Sequence, residues 1–455
     1  MVEIVTRDVS RLILALSAFP MRLLPASVML VVATSLFAQQ TDSAIQQLQN
    51  LQARLHKSHT ANDWPSNLIA ARELKTFLND DPASLLEVAR AEVHVGDFPA
   101  AFRELEQFVR MGQSTDLAAP SLDFAPHLSQ PEFAKIQSAM EANRRPISLA
   151  STAFLLPGSN LLPEDLDYDP NGHRFLVTSV LQKKIIAVAA NGARNEFAKA
   201  PDNWPMMAIK IDRKRSLVWA TEVALQGFRS APESDWGRSA VLSYDLKTGK
   251  LQRRVEGPHG SSLGDMSLLA NGDVVVSDGD GGGVYRLTAK GSVLQRLDAG
   301  DFISPQTPTM HPDANHIFVP DYERGIAVLD LSTRQVHWLA TAGRFALNGV
   351  DGLYFDRGKL IAVQNGTSPE RVIAFTLNAA LSEITSETIL ERSTDTLGDP
   401  THGVFVGNDF YYIADSGWNA IDEHGTMKPG AKPSVPRLMR VKIQGSGGST
   451  PAHTG

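Results

Sequence analysis

The chain contains no cysteine. Disulfides, thiolate metal sites and cysteine nucleophiles are excluded together, and the compartment stays open, because exported proteins also fold without disulfides. Basic runs are missing as well. Lys and Arg number 43 against 50 Asp and Glu, for a formal net charge of −7, so no concentrated positive face is encoded for nucleic acid. Beyond residue 38 no apolar run approaches the ~20 residues that a bilayer crossing needs. A phosphate loop, a dinucleotide fingerprint and a Gly-x-Ser-x-Gly elbow are absent too. What is left is ordinary globular composition, 43% apolar and 20% charged over 455 residues, enough for two or three folding units.

The one concentrated apolar run lies near the N-terminus. Met21-Arg22 precedes the uncharged stretch from Leu23 to Ala38, and Gln39-Gln40 follows it. A positive start, a short apolar core and a small residue before a polar boundary predict a signal peptide over residues 1–38, with Met21 as an alternative start. The competing reading is an uncleaved anchor. With a signal, the expected location is periplasmic or secreted, in a bacterium, and the mature chain has no membrane span.

Residues 39–146 carry helical periodicity. Asp63-Trp64-Pro65 and Asp97-Phe98-Pro99 stand 34 positions apart, and at that offset Leu68, Ala71 and Leu74 match Phe102, Leu105 and Phe108. A 34-residue helical period resembles the tetratricopeptide repeat. Asp81-Pro82 reads as an N-cap with proline behind it, and Phe133, Ile136 and Met140 mark a capping helix. Such a segment either docks a protein partner or packs on the domain that follows it.

At Arg144-Arg145-Pro146 the period changes from helical to alternating. Short strands rich in Val, Ile, Leu, Phe and Tyr, separated by Gly, Asn, Asp and Pro, fall into six groups over residues 147–444 at blade-like spacing of roughly 40–50 residues. The sixth group runs out after three strands, and the stretch from Ser148 to Leu155 is available as its missing outer strand. The expected fold is mainly β, a six-bladed propeller behind a small all-α domain, with a disordered tail over 445–455. Asp278, Asp321 and Asp415 close second strands and read as turn braces. The glycine-rich run from Asp278 to Gly283 and the Asn365-Gly366-Thr367 sequon also read as turn chemistry.

In a propeller the leading residue of each inner strand faces the axis. Around the ring those residues are Glu164, Met207, Asp265, Gln306 or Thr307, Asp351, and Thr401 or His402. Three carboxylates converging in a channel raise one another's pKa unless a cation neutralises them. Glu164, Asp265 and Asp351 are therefore candidate ligands of a divalent ion: calcium, magnesium or manganese for an oxygen donor set, or zinc if His402 joins. Met207, Gln306, Thr307 and Thr401 would line the substrate channel.

From residue 150 to 443 this arrangement resembles the regucalcin/gluconolactonase family of six-bladed, metal-dependent lactone hydrolases, and more distantly the paraoxonases and strictosidine synthases. The local agreement is best at Val350-Asp351-Gly352-Leu353 and Pro163-Glu164. The family's Glu, Asn and Asp at blades one, three and five fall here on Glu164, Asp265 and Asp351, with Asp in place of Asn. The resemblance implies a lactone or ester substrate, Asp351 as general base, and His402 as a proton shuttle, a substrate contact or a structural histidine. One departure stands out: the family's polar group at blade two, usually Asn, is Met207 here, which takes a hydrogen-bonding wall away from a sugar lactone. The alternative is a propeller that binds a ligand or partner without catalysis.

Overall fold

The computed structural model describes residues 43–443, apart from 157, 159, 190, 191, 433 and 434. The expected signal and tail lie outside the described residues. The described residues form one compact unit, with five α-helices followed by a six-bladed propeller.

The helices are α1 (Ala44–Thr60), α2 (Trp64–Phe77), α3 (Pro82–His94), α4 (Phe98–Arg110) and α5 (Pro131–Asn143). Asp63, Asp81 and Asp97 cap α2, α3 and α4, each carboxylate accepting from backbone N–H groups of the first turn, with Pro65, Pro82 and Pro99 just inside. Proline costs nothing there, because the first amides of a helix have no intrahelical acceptor. The 34-residue spacing is therefore a repeated helix start. Leu85, Ala89, Leu105 and Phe108 meet Phe133, Ile136 and Met140 of α5 in one core, which also takes in Ala346 of the propeller.

Each blade is an antiparallel sheet, and the inner strands are Pro163–Asp169, Met206–Asp212, Leu263–Leu268, Thr309–Met310, Val350–Asp356 and Gly403–Val406. Five blades follow a simple meander. In the sixth, the outer strand is Ala150–Leu155, paired with Arg437–Lys442, so the two ends of the propeller sequence close one sheet. Just before it, Ile147–Ser148 adds a fifth strand to blade five. Buried aliphatic side chains fill the spaces between neighbouring blades, as with Leu176, Ile185, Ile209 and Leu242 between blades one and two.

The helices dock on the end of the propeller where the inner strands begin. The Ala44 amide donates to Gly300 O and the Ser114 amide to Ser368 O. Asn79 Nδ2 donates to Arg324 O, and the Arg324 guanidinium reaches Phe77 O while lying 4.5 Å over the Phe77 ring. Arg371, fully buried, donates to Gln364 Oε1 at 2.7 Å and to Met111 O at 3.2 Å. Blades three, four and five thus carry the helices beside the axial site.

Candidate metal centre on the propeller axis

Four inner strands break register at their leading end. The breaks fall between Pro163 and Leu166, Met206 and Ile209, Leu263 and Asp265, and Val350 and Gly352. Glu164, Met207, Gly264 and Asp351 lie within these irregularities. An extra residue in one strand bends the chain and re-aims its side chain, which explains how a position at the rim of a sheet comes to face the channel. Hydroxyls of the second strands brace the bulges. Thr178 Oγ1 accepts from the Asp165 amide and donates to Met207 O of the next blade; Ser277 Oγ donates likewise to Gln306 O.

Glu164 and Asp351, set in two of these bulges, meet His402, which precedes the unbroken inner strand of blade six, and one ligand atom from each lies within 4.8 Å of the others. Asp265 lies beside them, its Oδ1 accepting from Thr307 Oγ1 at 2.6 Å and lying 2.5 Å from His402 Nε2. His402 Nδ1 meets the backbone carbonyl of Glu164 at 2.9 Å, and its Nε2 stands 4.0 Å from Asp351 Oδ1. Asn365 Nδ2 donates to Asp351 Oδ2 at 2.7 Å and to Pro400 O, while Tyr322 Oη donates to Asn365 Oδ1. Glu164 Oε2 accepts from Trp418 Nε1 at 2.6 Å.

The electrostatics follow from two buried carboxylates, Glu164 and Asp265, and the partly buried Asp351 around one imidazole. Burial and then the Asp351 charge push Glu164 up to about 8, against smaller opposing pulls from His402 and the Trp418 hydrogen bond. Burial works against a charged His402, yet Asp351 and Asp265 outweigh it and hold the imidazole well above its ordinary value. Both groups take up protons to relieve crowded negative charge, and a divalent cation relieves the same crowding.

The channel positions divide. Thr307 turns onto Asp265. Thr401 is buried and its Oγ1 meets no hydrogen-bond partner among the described residues. Gln306 folds its amide back onto Ser304. Met207 is buried against Leu162, Val180, Val223 and Phe228, with Trp418 and Ile421 alongside, so the wall at blades one, two and six is apolar. The sequence does not mark Asn365 or Trp418 as site residues. Asn365 belongs to a sequon read as turn chemistry, and Trp418 lies in a loop 254 residues from the Glu164 it touches. Two of the three expected turn braces are seen: Asp321 accepts from the Ile303, Ser304, Glu323 and Arg324 amides, and Asp278 from those of Ser262 and Gly281. Asp415 instead accepts from Arg437, and Asp399 takes the Gly417 and Asn419 amides of that loop.

No protein-family model matches the chain, and no curated protein does. Among solved structures it is similar to the PQQ-bound form of aldose sugar dehydrogenase from Streptomyces coelicolor, at 12% identity and a TM-score of 0.45 over 65% of this chain and 99% of that one. It is similar also to XC5397, a gluconolactonase from Xanthomonas campestris, at 15% identity and a TM-score of 0.43 over 65% of this chain and 89% of that one. Virginiamycin B lyase from Staphylococcus aureus is matched at 14% identity and a TM-score of 0.41, over 64% and 98% of the two chains. Likenesses this distant leave the chemistry to be argued from the axial residues themselves.

Proposed function

We propose that the protein is a metal-dependent hydrolase that opens a lactone or related carboxylic ester on the propeller axis. The observation that carries this is the gathering of Glu164, Asp351 and His402 donor atoms within 4.8 Å of one another in a buried setting that holds surplus protons. Those donors fit a divalent ion, with Asp265 beside them. His402 Nδ1–H, donated to the Glu164 carbonyl, fixes the tautomer that presents Nε2 to the centre, the orientation that ligating histidines take from an outer partner. One imidazole among carboxylates suits zinc or manganese at least as well as calcium.

Such an ion supplies Lewis acidity, polarising the ester carbonyl and making water easier to deprotonate. The chain's own residues do the rest. Asn365 holds Asp351 Oδ2, which turns Oδ1 toward the centre, and Asp351 accepts the proton of the attacking water. With both ring nitrogens of His402 engaged, we assign it to holding the centre rather than to shuttling protons. The wall of Leu162, Met207, Phe228 and Trp418 favours a substrate with an apolar acyl or aryl part over a polyhydroxylated sugar lactone. Export through the N-terminal signal belongs to the same reading, and N-terminal sequencing of the mature protein tests it.

The non-catalytic alternative, a partner bound by the helices, draws on exposed Ile69 and Val95 at 57% and 40% exposure. Single exposed apolar side chains are ordinary on any protein surface, and the hydrolase reading is preferred. The test is elemental mass spectrometry of the purified protein and of Asp351→Asn, followed by a panel of apolar and sugar lactones. Near one equivalent of axial ion, lost in the variant together with lactone opening, supports the reading. An intact fold that takes up no ion at the axis after soaking with calcium, manganese and zinc overturns it.

A further inference from the structure

The inner hairpin of blade four carries a second convergence of donors that the axial chemistry does not use. His311, Asp313 and His316 each offer a ligand atom, all within 4.8 Å of one another. Asp313 Oδ2 lies 2.9 Å from His311 Nδ1 and 2.7 Å from His316 Nδ1. The hairpin sits at the far end of its strand from the axial site. Thr307 touches Asp265, and the chain runs on through Thr309–Met310 to His311, about 13 Å at an extended rise.

We propose that this hairpin is a zinc site, held by His311, Asp313 and His316 and separate from the axial centre. The backbone has already oriented its donors. Asp313 Oδ1 accepts from the Asn315 and His316 amides, so the carboxylate is fixed with Oδ2 toward the two rings. The His311 amide donates to His316 O at 2.9 Å, holding the two histidines opposite each other across the turn. The His311 ring packs edge-on against Phe355 at 5.1 Å, which limits its rotation. His316 Nε2, pointing the other way, lies 3.5 Å from Asp330 Oδ2, the kind of outer carboxylate partner that orients a ligating imidazole.

Two imidazoles and one carboxylate form a borderline donor set. It selects zinc over calcium and magnesium, which take oxygen. Tetrahedral ligands at zinc distances stand roughly 3.3 Å apart, so binding opens the present contacts by a few tenths of an ångström, within reach of side chains on an exposed turn. The ion would cross-brace the hairpin at the end of the channel remote from Glu164 and Asp351, a structural rather than a catalytic role.

The experiment uses the full chain with the axial donors disabled, Glu164→Gln with Asp351→Asn. Equilibrium dialysis against zinc chloride is followed by elemental mass spectrometry. The expected result is one equivalent of zinc, lost when either His311→Asn or His316→Asn is added, and not displaced by about a hundredfold excess of calcium. Either exposed-turn variant serves if the other folds poorly, as judged by circular dichroism in EDTA. Zinc should also raise the melting temperature of the axial-disabled protein and leave the doubly disabled one unmoved. No zinc on the axial-disabled chain overturns the proposal, and so does zinc that survives both histidine substitutions. Because the axial residues are already altered, failure here and failure of the hydrolase reading are separate results.

Discussion

Metal affinity at the axis should depend steeply on pH, and Glu164 sets the scale. Burial and Asp351 place its carboxyl at about 8, so it must give up a proton before it can hold a cation. An acid of that strength is about half ionised at pH 8 and about 1% ionised at pH 6, which weakens binding about fiftyfold over the interval. His402, also held protonated by Asp351 and Asp265 against the cost of burial, adds to the slope in the same direction. The sign can be checked on stability. The folded state without ion binds a proton at Glu164 that the unfolded chain, at the ordinary 4.5, releases. Stability from this group is therefore full below about 4.5 and declines as pH rises to about 8, a decline that bound ion removes. Isothermal titration calorimetry at pH 6, 7 and 8, in buffers of different ionisation enthalpy, reads both the affinity and the protons released. Glu164→Gln should bind more weakly and with a shallower slope. Affinity constant within twofold across the range, with no proton release, would refute this reasoning.

Trp418→Phe removes the hydrogen bond that lowers the Glu164 pKa, so the affinity curve should move to higher pH and binding at pH 7 should weaken about tenfold; an unmoved curve counts against the contact. Arg371→Met strips a fully buried guanidinium from Gln364 Oε1 and Met111 O. Leaving those acceptors unsatisfied should cost about 3 kcal/mol, visible as a lower urea midpoint and faster proteolysis near residue 112. Met207→Asn restores a polar group to the blade-two wall and should shift kcat/KM toward sugar lactones by about tenfold relative to apolar ones, with an unchanged ratio arguing that the wall does not touch substrate.

The repeat was legible because it is local. Alternation, turn residues and the Asp-aromatic-Pro helix starts are each written within a few residues, and they sufficed for six blades, the outer strand from the N-terminal side and the cap formed by α5. The axial positions were legible because each blade repeats the same entry, so Glu164, Asp265 and Asp351 could be aligned without knowing the bulges that aim them. What escaped is what distant segments supply. Asn365 looks like a turn residue until Asp351 folds over it, and Trp418 has no periodic equivalent in the other blades. The His311 hairpin escaped for a different reason: its donors sit in a turn, where Asp and His are expected for backbone reasons alone.

Closure of the ring has a temporal consequence. Thr152, in the strand that completes blade six, meets Met439, 287 residues later. At translation rates of about 5–20 residues per second the earlier strand waits roughly 15–60 s for its partner. Helices α1 to α5 emerge first, yet the loops they dock on come from blades three to five, so they wait as well. Through that interval the nascent chain carries unpaired strand edges that invite wrong pairing. A stop codon before Arg437 would then do more than delete one strand. It would leave Ala150–Leu155, made near the start of the propeller sequence, with nothing to pair to, and one late lesion would undo the closure of the ring.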